Sequence, residues 1–60
     1  MKIKKIIITE EYFNLSIRNI LISLGINPEV VLVKINNKFT PISTMITKET
    51  ELEILEVVKN

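Results

Sequence analysis

The apolar positions of this chain follow a period of two, then a helical period, then a period of two again. From Lys2 to Thr9 β-branched residues dominate, and the run reads as a strand. Ile6 and Ile8 share one face and Ile3 and Ile7 the other, and a strand apolar on both faces is expected in the middle of a sheet. Between Ser16 and Gly25, Ile17, Ile20, Leu21 and Leu24 fall at i, i+3, i+4 and i+7, one face of a helix. The Ser16 hydroxyl can accept from the orphan N–H groups of the first turn. Gly25 can take the left-handed position that stops a helix, and Pro28 follows where continuation is forbidden. This is the one helix that the pattern predicts.

The remaining segments read as strands and turns. Thr9-Glu10-Glu11 is polar and turns the chain. Tyr12 to Leu15 returns as a short strand with Phe13 and Leu15 inward, because adjacent strand residues face opposite sides. Val30 to Asn36 is the strongest strand. With Lys34 toward water, Val31, Val33 and Ile35 face the helix, while Val30 and Leu32 share the lysine's side. Asn36-Asn37 tolerates the positive φ of a type I′ turn, Lys38 to Thr40 pairs back, and Pro41 ends that pairing. Ile42 to Lys48 crosses, with Met45 and Ile46 tucked under the sheet, and Glu49-Thr50 turns. In the last strand, Glu51 to Asn60, Glu51 and Glu53 alternate with Leu52 and Ile54. Strict alternation then carries Glu56 inward and Leu55 and Val57 outward, and a buried unpaired carboxylate is costly. Either a bulge resets the register, or the strand runs past the core and leaves Leu55 and Val57 beside Leu32 on an open face. The second solution makes an exposed apolar patch, which reads equally as a partner site or as ordinary surface leucine and valine.

Composition narrows the function. Sixty residues make a single domain, 1–60, and an apolar content of 47% lets so short a chain fill a core without cysteine staples. The net charge of +1 argues against nucleic acid as partner. No apolar run is long enough to span a membrane, MKIKKIIIT fails as a secretory signal, and the expected location is cytoplasmic. The lysines at positions 2, 4 and 5 are read as solvated guards of the isoleucine run. The chain has no histidine or cysteine, its seven acids are all glutamates, and it has one glycine. Nucleophile–base pairs of the Cys–His or Ser–His kind, a metal cage and a phosphate loop all lack their materials. Ser43, Thr44 and Lys48 are the nearest approach to a catalytic set, and such combinations arise by chance. The chain is therefore expected not to be an enzyme and to need no cofactor or metal.

The order of hairpin, helix, strand, short return and final strand is that of a two-layer α+β domain, one helix across a mixed sheet of four to five strands. It resembles the β-grasp, or ubiquitin-like, fold. More specifically, Leu24-Gly25, then Pro28, then VLVKIN ending at Asn36, then Pro41, then ELEILEVV resembles the sulfur-carrier family, the ThiS and MoaD type of thiamine and molybdopterin biosynthesis. The similarity runs over essentially the whole chain and rests on order and spacing, since no motif is sharp alone. It implies a carrier that docks to an activating adenylyltransferase-like enzyme and to a synthase subunit, with Leu32, Leu55 and Val57 as docking patch. In that family a terminal diglycine is adenylated and becomes a thiocarboxylate. Two departures stand against it: Glu49-Thr50 replaces the family's Gly-Asp turn, and the sequence reads Val57-Val58-Lys59-Asn60 where the family has its diglycine, so the carrier carboxylate would have to be that of Asn60, with bulk and charge where the extended tail needs glycine. The alternative is a binding or regulatory β-grasp module that keeps the docking face without carrier activity.

Overall fold

The computed structural model describes residues 2–57. Within them the strands are β1 (Lys2–Ile8), β2 (Leu15–Ser16), β3 (Val31–Ile35), β4 (Lys38–Phe39), β5 (Met45–Ile46) and β6 (Thr50–Glu56), with one helix, α1 (Ile17–Ser23). Asn60, the expected carrier terminus, lies outside the described residues.

Helix α1 begins and ends where side-chain chemistry dictates. The Ser16 side chain accepts from the Asn19 N–H at 3.2 Å. The two N–H groups before it, on Ile17 and Arg18, donate to the carbonyls of Thr44 and Ile42. The crossing segment thus satisfies the helix start, which otherwise leaves its first donors without partners. At the other end Gly25 sits at φ +78°. Its N–H donates to the Ile22 carbonyl, and the Ile26 N–H reaches back to that of Leu21. This is the paired bonding of a Schellman motif, which needs the left-handed residue between its two bonds. A Cβ at Gly25 would touch nothing within 4 Å, so Gly25→Ala should lose only backbone ease, about 1–2 kcal/mol. Urea denaturation reads that loss directly, and an unchanged midpoint would show that Gly25 is not left-handed in solution.

Asn36 and Asn37 have φ of 52° and 66°, as the type I′ turn between β3 and β4 requires. Asn27 caps the 3₁₀ turn Pro28–Val30 by accepting from the Glu29 N–H. The ion pair from Arg18 to Glu29 spans 3.3 Å between exposed side chains and contributes little to stability.

The sheet order is β1-β6-β3-β4, with β2 and β5 forming a separate two-stranded ribbon. The expected N-terminal hairpin is absent from the described residues. After Ile8 the chain takes a 3₁₀ turn, Glu10–Tyr12, and only Leu15 and Ser16 extend, opposite Ile46 and Met45. Strand β1 pairs instead with β6, antiparallel and in unbroken register from Lys2–Glu56 to Ile8–Thr50. Every described pairing is antiparallel, where a mixed sheet was expected. Both β1 and β3 run against β6, so they point the same way, and α1 joins them across the inserted final strand. This is a split β-α-β unit. Among the described residues β1 is an edge strand, not the central one that its two apolar faces suggested.

The core lies between α1 and one face of the sheet. Ile8, Leu52, Ile54, Val31 and Val33 supply the sheet side, and Ile17, Ile20 and Leu21 the helix side, with Ile46 beside them. Val31 and Val33 are buried as the alternation predicted, and Ile35 packs against the cluster. Two expectations fail locally. Leu24 is exposed because it follows the last helical turn as the C-cap residue. Met45 is exposed because alternation within β5 turns only Ile46 inward. Tyr12 and Phe13 are both half-buried against the core, neither of them clearly outside it.

Candidate docking surface

The face of the sheet away from α1 is the site that the fold leaves open. Residues directly opposite one another on paired strands share a face. Leu55 of β6 is opposite Ile3 of β1 on one side and Leu32 of β3 on the other. These three side chains form an apolar row across three strands. Val31 and Val33 point to the core, so Leu32 between them points away from it. Ile3 is 60% exposed and Leu32 49% exposed, while Leu55, flanked on both sides, is half-buried. Val57 extends the row. Its N–H donates to the Val30 carbonyl at 3.1 Å, and its side chain, 47% exposed, borders a shallow groove with Glu29, Val30, Val31 and Leu32.

Along the strands the next row is charged. Lys5, Glu53 and Lys34 lie opposite one another in turn, and Phe39 closes the row from β4. The Lys34 ammonium stands 5.2 Å from the centre of the Phe39 ring, within cation–π range. Lys5, Glu51 and Glu53 meet the Asn36-Asn37 turn around a polar groove there. The open face is therefore an apolar band bordered by alternating charges. Such a surface can bury a partner's apolar side chains while opposite charges fix its orientation.

The structure brings together the predicted patch residues, Leu32, Leu55 and Val57. It selects the second of the two solutions for the last strand: β6 runs without a bulge, and Glu56 lies half-buried opposite Lys2 and Val31. Sequence reasoning missed Ile3, which completes the row. A hint was present in its face, shared with Ile7, but only the β1–β6 register shows that this face is the outer one. Thr44, one of the possible catalytic side chains, serves through its backbone carbonyl at the helix start. Among the described residues no group of three acids is placed to hold a metal ion, and no helix is long and apolar enough to cross a membrane. Compared with protein-family models, curated proteins and solved structures, the chain matches none.

Proposed function

We propose that this chain is a small non-enzymatic docking domain that meets a protein partner through the open face of its sheet. The observation that carries the reading is the Ile3–Leu55–Leu32 row, three large apolar side chains in register on a face that no part of the described chain covers. An apolar row of this kind, contiguous across three strands and rimmed by charged side chains, is the form that interaction surfaces take.

The narrower form of the proposal is a sulfur carrier of the ThiS and MoaD type, with a β-grasp domain and with an adenylating enzyme and a synthase subunit as partners. What supports it is the left-handed Gly25 after Leu24, the Asn36 turn and Pro41, all in the order of the resemblance. The all-antiparallel sheet departs from it. The two forms separate in one experiment. The protein is isolated from its own cells at its natural level, sized under gentle conditions, and its intact mass is taken. The docking reading expects a complex larger than the chain alone, and a monomer at all stages overturns it. The carrier reading expects in addition a terminal carboxylate with one oxygen replaced by sulfur. A complex without any sulfur adduct leaves the docking domain and removes the carrier.

A further inference from the structure

Strand β1 has a second side. Among the described residues β6 is its only strand partner, so one row of its backbone N–H and C=O groups has no strand opposite. Natural edge strands are kept short, bulged, interrupted by proline or guarded by charges such as lysine, and β1 has only the last of these, at Lys2, Lys4 and Lys5. This one is seven residues long, in unbroken register with β6, and free of proline. It carries Ile3 and Ile7, both highly exposed, on its outer face. An edge of that length and composition invites another strand.

We propose that this edge takes up an extended acidic segment of a partner protein as a fifth strand, independently of the open-face reading. The chain itself shows what β1 accepts. On its paired side β1 lies against Thr50–Glu56, in which glutamates are interspersed with leucine and isoleucine, and Glu56 stands opposite Lys2 and Glu53 opposite Lys5. Lys2 and Lys4 point to one face and Lys5 to the other, so an added strand meets positive charge on both of its faces. A segment with the pattern of β6 matches those charges and sets a leucine beside each of Ile3 and Ile6, as Leu55 and Leu52 stand in β6. A second copy does not. In a two-fold pairing over the whole strand Lys5 faces its own counterpart, and any other register brings only more lysine and isoleucine. Lysines on an edge guard against self-pairing, and the same charges favour an acidic visitor.

The test uses the isotope-labelled full chain and two end-capped heptapeptides, TELEILE and its charge-reversed form TKLKILK. TELEILE should shift the β1 amide resonances, Lys2 to Ile8, and slow their exchange with solvent, with an affinity that falls as salt is raised. TKLKILK should leave them unmoved. Lys4→Glu, at a position opposite the uncharged Ile54, should weaken TELEILE binding by about threefold and open the edge to TKLKILK. Several results overturn the proposal: shifts centred on Leu32 and Leu55, equal binding of both peptides, or binding of neither at millimolar concentration. So does protection of the β1 amides that grows with protein concentration alone, which would assign the edge to a second copy.

Discussion

Ile8→Ala should destabilise the protein by about 2–5 kcal/mol, whereas Ile7→Ala, one residue away in the same strand, should change stability by less than about 1 kcal/mol. The two substitutions remove the same atoms. Ile8 is wholly buried and Ile7 is 61% exposed, so only the first leaves a cavity. The neighbours of Ile8 are themselves held by the sheet and by α1, which limits how far the hole can collapse. At about 0.05–0.15 kcal/mol per residue, a domain of this size has only about 3–9 kcal/mol in total. The Ile8 variant is therefore expected to be largely unfolded or to melt near room temperature, and the Ile7 variant to melt with the unaltered protein. Urea denaturation followed by far-ultraviolet circular dichroism measures both. Equal losses would show that the phase of β1 is wrong, and reversed losses would place Ile3 and Ile7 in the core and remove the open apolar row with them.

The pair also marks the boundary between what the amino-acid pattern specifies and what it does not. Local capping and turn chemistry was legible at three places. Ser16, Gly25 and the Asn36-Asn37 turn act as their residue types dictate, because capping and left-handed φ depend on a few atoms close in sequence. The alternation of β3 was legible for the same reason, and it placed Leu32 outward. The partner of β1 was not. A run of isoleucines on both faces fits a central strand or an edge whose outer face is reserved, and period-two patterning carries no information about the neighbouring strand. No Asn-Gly or Asp-Gly follows Ile8, so nothing local enforced the expected hairpin, and the long-range pairing with β6 took its place. The lysines opposite glutamates in that pairing are visible in the sequence, yet their match becomes evident only when Lys5 is set against Glu53. Of the candidate site, Leu32 and Leu55 could be found from strand phase, and Ile3 only from the register.

Leu32→Asp should abolish partner binding, with a loss of about 30-fold or more, and leave the fold intact. Leu32 has two different environments in the free protein and in a complex. In the free protein Leu32 is half in water, so a carboxylate there stays hydrated and costs little beyond the poor strand propensity of aspartate, about 1 kcal/mol or less. In a complex the apolar row is covered, and the carboxylate must either lose its water or hold the partner away. A central contact of this kind exceeds about 2 kcal/mol, which is the stated factor. Leu55→Asp should act in the same direction and more severely, because Leu55 lies between Ile3 and Leu32. Ile22→Asp is the control: it puts the same charge on an exposed position in the last turn of α1, outside the row, and should leave binding unchanged at a stability cost of about 1 kcal/mol from helix propensity and the helix dipole. The three variants are compared by melting temperature and by recovery of the complex isolated with the unaltered chain. Survival of binding in both sheet variants removes the open face as the docking surface. Loss of binding in all three assigns the effect to charge alone. Unfolding of Leu32→Asp returns that side chain to the core, and the row with it. Only loss in the two sheet variants, with the helix variant unchanged and all three folded, ties the partner to the register of Leu32 against Leu55.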